Sequence, residues 1–217
     1  VGKFVIAEIS PLWITYLRWI LALFLLFPLA IYLEKPDWAA VKKDIPLLIV
    51  MGIVGVVGFN TLLYMALAYT TPTNAALVST LNPGVIVLLS VLVLREQVTT
   101  IQGAGLLVSL LGVLVILTQG ELAQVFRRTY NTGDLLMLAA LVAWAVYSLV
   151  GKKITIRPVT ATAVSSLLAV IMITPFALMQ GLDTTKIGPL AIAGTLYIAI
   201  FSAGGSFFAV LRIWEAM

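Results

Sequence analysis

The 217-residue chain is 62% hydrophobic and only 10% charged, with a mean hydropathy of +1.13, whereas soluble domains run at roughly 45–50% apolar and about 25% charged. A soluble fold cannot hide that much apolar surface, and its spread along the whole chain excludes both a single anchor and a signal peptide ahead of a soluble domain. The lack of Cys and His removes disulfides, thiolate metal sites and the usual proton shuttle. The net charge of +4 belongs to helix ends, not to a nucleic-acid surface.

A membrane-crossing helix needs about 20 mostly apolar residues. Segments 11–33, 45–69, 73–94, 101–119, 134–152, 159–180 and 189–214 meet that requirement, and 1–9 reads as the end of another. The breaks carry turn chemistry: Glu34-Lys35-Pro36-Asp37, Thr70-Thr71-Pro72-Thr73, Arg95-Glu96-Gln97, Arg157-Pro158 and Gly181-Leu182-Asp183. The connection 121–132 mixes Leu122, Val125 and Phe126 with Arg127 and Arg128; it reads either as a surface-lying segment or as a plain loop. Alternating the loops puts Lys35, Lys42, Lys43, Arg95, Lys152, Lys153, Arg157 and Arg212 on one side, against Lys3, Arg127, Arg128 and Lys186 on the other. The positive-inside rule makes loops 34–44, 95–99 and 152–158 cytoplasmic, in a bacterial inner membrane.

The 20 residues from Pro11 align without a gap on the 20 from Pro158, matching Pro11, Thr15, Leu21, Ala22, Pro28 and Ala30 to Pro158, Thr162, Leu168, Ala169, Pro175 and Ala177. Val1-Gly2-Lys3 likewise echoes Val150-Gly151-Lys152. Five helices separate equivalent points, and an odd number inverts the second copy relative to the first. The expectation is an all-α, polytopic membrane helix bundle built as an inverted repeat of two five-helix halves, residues 1–120 and 133–217. Of the ten helices in such a parent, seven full ones and a stub fall within the chain.

Asn82-Pro83 lies about 15 Å into its helix and frees the carbonyl of Ser79, with Ser79, Thr80 and Asn82 as local partners. That is either a broken helix lining a substrate cavity or a tolerated kink. Asn60 and Tyr64 share one helix face, and Trp144, Tyr147 and Ser148 form a similar stripe; each set is either a solute site or packing, and Tyr197 and Ser202 are weaker candidates of the same kind. Lys3 and Arg18 could meet a substrate carboxylate, although snorkelling suits Lys3 and pairing with Glu8 suits Arg18. The glycines at 52, 55, 58, 103, 105 and 112 suit close helix approach.

The ordered set Gly2-Lys3, Ser10-Pro11, Tyr16-Leu17-Arg18, Asn74-Ala75-Ala76-Leu77, Leu81-Asn82-Pro83, Glu96, Gln102-Gly103, Gly112 and Gly133-Asp134 resembles the EamA-domain branch of the drug/metabolite transporter superfamily. The resemblance implies two oppositely oriented five-helix repeats around a central cavity, and no cofactor. It also implies a small-molecule substrate in a lipid bilayer and export of amino acids, aromatic ones included. A nucleotide-sugar or sugar-phosphate carrier would need a deep Lys or Arg cluster, an enzyme would need a nucleophile or metal set, and a non-transporting scaffold would need no site at all.

Overall fold

The computed structural model describes residues 5–117, 131–181 and 187–199. The expectations for Lys3, Ser202, the 121–130 stretch and the end of the 189–214 segment lie outside the described residues. Seven helices follow in order: α1 (Pro11–Glu34), α2 (Trp38–Tyr69), α3 (Pro72–Leu94), α4 (Thr100–Leu117), α5 (Thr132–Gly151), α6 (Pro158–Gln180) and α7 (Pro189–Ala199). Among them α1, α2, α3, α5 and α6 are long and apolar enough to cross a membrane.

Local chemistry sets the boundaries. The Ser10 and Thr71 hydroxyls accept from the Trp13 and Asn74 amides, with Pro11 and Pro72 supplying the fixed φ of a first helical residue. Asn131 and Asp134 close a reciprocal capping box on α5. At their far ends α1 and α3 loosen into π-helical turns and stop at Lys35 (φ 47°) and Arg95 (φ 55°), where a cation complements the negative end of the helix dipole.

Helix α2 starts seven residues earlier than hydropathy suggests, behind Asp37, whose carboxylate accepts from the Ala39 amide. Lys42 and Lys43 are exposed, but Asp44 turns inward, so the polar run belongs to a helix face and not to a loop. At 32 residues the helix is about 48 Å long, well beyond the roughly 30 Å hydrocarbon layer, and its first turns stand clear of it. Helix α3 is interrupted where Pro83 demands: α-helix covers Pro72–Ser79 and Asn82–Leu89. Between them the Thr80 and Leu81 amides bond three residues back, at 3.1 and 3.0 Å.

Burial runs opposite to a soluble protein. Phe24, Tyr32, Ile101 and Met179 are more than 70% exposed, whereas Asn60, Thr15, Thr160 and Ser165 are sealed inside with hydrogen-bond partners, because lipid solvates the apolar groups and only protein can satisfy the polar ones. Among the described residues there are four small cores. One joins Val5, Trp13 and Tyr64 to Ala177 and Ala191; the second joins Ala22 and Leu26 to Ala163. The third joins Leu48 and Met51 to Val164, and the fourth Ala66 and Val78 to Met137. Helices α1 and α6 run antiparallel, since Ser10 bonds Gln180 at one end and Glu34 bonds Thr160 at the other.

Only some glycines serve close approach. A Cβ at Gly52 would stand 2.7 Å from the Ser165 carbonyl, and one at Gly133 would stand 2.7 Å from the Ala66 carbonyl and 2.8 Å from the Thr70 amide. Gly103, Gly105 and Gly112 on α4 meet nothing within 4 Å, which corrects the expectation for that helix. Gly133→Ala is therefore expected to destabilise by about 1–3 kcal/mol through overpacking against backbone. Gly103→Ala is expected to be neutral or to stabilise by up to about 1 kcal/mol. Thermal unfolding in mild detergent reads both, and the reverse ranking would contradict this packing.

Candidate functional site

The centre of the site is set by a change of helical register. Residues Gly52–Phe59 of α2 are wound as a π-helix, and α-helix resumes at Asn60, a change of hydrogen-bonding register within one helix. The Asn60 amide nitrogen reaches back into the π stretch, donating to the Val56 carbonyl at 2.8 Å and the Gly55 carbonyl at 3.3 Å. With the amide so oriented, its oxygen accepts from Arg18 Nη1 on α1 at 2.7 Å. Tyr64, one turn further, accepts from the same nitrogen through its hydroxyl at 3.2 Å. Asn60 and Tyr64 are 1% and 3% exposed, and the guanidinium carbon lies 5.1 Å from the centroid of the Trp19 ring, a cation–π distance. Arg18 is seven residues into α1, about 10 Å along its axis.

Glu8 is not the partner of Arg18. Its carboxylate accepts from the Gly188 amide at 2.7 Å, because it lies before the start of α1 beside an open helix N-terminus, while Arg18 stands two turns deeper.

A second, aromatic neighbourhood shares α2. Gly55 has no side chain, and the Tyr147 ring of α5 occupies the space a Cβ would take. Tyr147 stacks on Trp144 at 5.3 Å, and Trp144 packs on Phe59 at 4.9 Å. The Ser148 hydroxyl turns back to the Trp144 carbonyl at 2.9 Å. On α3 the Ser79 hydroxyl likewise serves its own helix, donating to the Ala75 carbonyl at 2.7 Å, and Thr80 donates to the Leu77 carbonyl at 2.6 Å. The Asn82 side-chain oxygen is buried without a partner, and the Pro83 ring is exposed. Helix α3 packs chiefly on α5, where Val78 and Leu81 beside the break join the cluster of Met137 and Leu141. Tyr197 on α7 is half exposed. The nine sequence candidates thus fall into three neighbourhoods. Trp19 and Phe59, which sequence reasoning passed over, join them as the immediate neighbours of Arg18 and Asn60.

The model of the EamA-like transporter family matches residues 1–118 and 131–216. The chain belongs to that family. Among its relatives, the uncharacterized transporter YyaM of Bacillus subtilis is 31% identical over 70% of this chain and 50% of its own length. YetK of the same organism, also an uncharacterized transporter, is 29% identical over 93% of this chain and 62% of its own. The aromatic amino acid exporter YddG of Ancylobacter novellus is 31% identical over 66% and 54%. The chain therefore spans about half to two thirds of the length of these relatives. One crystal structure shares the fold, with a TM-score of 0.65 at 22% identity over 92% of this chain and 67% of that one.

In this member of the EamA-like transporter family the two ends of the bundle are tied across the sequence. At one end Glu34 accepts from the Val159 and Thr160 amides at 3.0 and 2.7 Å, and Asp44 accepts from the Thr155 amide at 2.7 Å. There too Glu96, which accepts from the Ser90 hydroxyl, pairs with Lys152 at 2.9 Å. The Glu34–Asp37 turn with the first turns of α2, and loops 95–99 and 152–158, thus gather on one side, together with Lys35, Lys42, Lys43, Arg95, Lys152, Lys153 and Arg157. At the other end Thr70 donates to Asp134 at 2.8 Å, and Trp13 Nε1 donates to the Gly181 carbonyl at 2.8 Å. The Ser90 hydroxyl first, and Lys152 second, hold the Glu96 carboxyl below the ordinary glutamate range.

Two outcomes follow. Asn60→Ala strips two carbonyls and a guanidinium of their partner and should cost about 1–3 kcal/mol, more than the roughly 0.5–1.5 kcal/mol of Tyr64→Phe, in detergent unfolding. A depressed folded pKa means that the Glu96 contribution is complete above the unfolded value of about 4.3 and is lost as the pH falls through the lower folded value. The melting temperature of Glu96→Gln should thus lie below that of wild type at neutral pH, with the gap closing below about pH 4; a gap constant with pH would exclude the linkage.

Proposed function

We propose that this chain forms most of an exporter of small organic metabolites, with amino acids as the favoured cargo and aromatic ones foremost among them, working by alternating access around a cavity at mid-depth. The observation that carries the reading is the Arg18–Asn60–Tyr64 cluster, a cation and two polar groups held together well inside an apolar bundle, where ionisable residues are costly and usually functional. The Phe59–Trp144–Tyr147 stack on the neighbouring face offers a surface for an aromatic or aliphatic side chain. The activity of the relative from Ancylobacter novellus supports the same cargo.

Two five-helix halves of opposite orientation are part of the proposal. The two matched segments support it, as does the antiparallel run of α1 and α6, the helices aligned from Pro11 and Pro158. An inner-membrane placement with loops 34–44, 95–99 and 152–158 in the cytoplasm follows from the positive charge gathered at that end. A lone Arg18, without further cations at its depth among the described residues, disfavours a sugar-phosphate carrier.

The test is counterflow in proteoliposomes of the full-length protein. Saturable exchange of neutral amino acids is expected, with Trp144→Ala lowering it by about tenfold, roughly the value of one lost aromatic contact on a bound solute. No saturable exchange of any amino acid or related metabolite would sink the proposal.

A further inference from the structure

The edges of the Arg18 guanidinium are unequally used. Both of its hydrogen bonds, to Asn60 and to Tyr64, leave from Nη1, the terminal nitrogen on the Cδ side. The opposite edge carries Nε and Nη2, whose N–H bonds run parallel and match the two oxygens of a carboxylate. Nε is buried without a partner, and Nη2 makes no hydrogen bond among the described residues. The Trp19 ring, whose centroid lies 5.1 Å from the guanidinium carbon, has its own Nε1 buried without a partner.

Charge points the same way. Every described carboxylate is engaged near a helix end: Glu8 with Gly188, Glu34 with Val159 and Thr160, Asp37 with Ala39, Asp44 with Thr155, Glu96 with Lys152 and Asp134 with Thr70. None lies within ion-pair distance of Arg18. Asn60 and Tyr64 offer it only dipoles, and a cation at that depth gains far more from an opposite charge than it would in water. Among the described residues nothing at that depth can hold an ammonium by charge.

We infer that the Nε/Nη2 edge of Arg18 is a carboxylate-binding fork, and that the carboxylate rather than the amino group is the anchor by which a solute is recognised. The inference rests on the transporter reading and deepens it. Carboxylic acids without an amine are ligands, whereas amines without a carboxylate are not. Asn60 is a positioning residue: its amide, fixed by the Gly55 and Val56 carbonyls, holds Nη1 and leaves the other edge open.

The experiment is ligand-dependent thermal stabilisation of the full-length protein in lipid nanodiscs, which reads binding without flux. The probes are two matched sets: phenylalanine, 3-phenylpropionate and 2-phenylethylamine, and leucine, 4-methylpentanoate and 3-methylbutylamine. The amino acids and the acids are expected to stabilise wild type, with the amines at least about tenfold weaker. Arg18→Gln should lose the response to acids, and Arg18→Lys, a point charge without the fork, should keep only part of it. Stabilisation by amines equal to that by acids, or none by any acid, overturns the inference on wild type alone, whatever the folding of the variants. Stabilisation by acids in a protein that shows no counterflow would defeat the transport reading and leave the fork standing.

Discussion

One amide organises the middle of this protein. In lipid backbone carbonyls must find donors within the protein, and two in the π-helical stretch of α2 accept from the side chain of Asn60. Those two bonds fix where the Asn60 oxygen points and hence where the Arg18 guanidinium rests. The glycines that accompany the π stretch have a second effect, since Gly55 admits the Tyr147 ring and Gly52 admits the α6 backbone. The unwound register, the buried cation and the contact between α2 and the later helices are consequences of one local solution to backbone solvation.

Around that centre the described residues form no single large core. The four clusters are separate, as expected where lipid is as apolar as leucine and helices associate through small residues and polar links. Helix α4 shows the limiting case, with outward leucines and valines and three glycines that meet nothing. Small apolar clusters and close glycine contacts join the early helices to the late ones, and hydrogen bonds at the two ends add polar links between them.

Hydropathy made the helices legible because a bilayer imposes one length on every span, and the turns were legible from their Pro, Gly and charged residues. Two features escaped it. The start of α2 was hidden because Lys42, Lys43 and Asp44 average as a polar run, although only the lysines face water. The partner of Arg18 was hidden because proximity in sequence favoured Glu8, while the register that brings Asn60 to it has no marker beyond a glycine-rich stretch. Residue type identified Asn60, Tyr64, Trp144 and Tyr147 as notable. Their division between two faces of α2, and the return of the Ser79 and Ser148 hydroxyls to their own helices, depend on azimuth and required coordinates.

The antiparallel pair α1 and α6 is pinned at both extremities. Glu34 grips the open N-terminus of α6 through Val159 and Thr160, and at the far end Ser10 and Trp13 hold Gln180 and Gly181. A slide of one helix past the other by a single turn, about 5.4 Å, would tear all of these contacts at once with no equivalent set waiting in the new register. Shear is thereby denied to this pair, which is left to swing as a braced strut. Helix α3 differs, because the interruption at Thr80 and Leu81 replaces its regular ladder by bonds three residues back and lowers its resistance to bending.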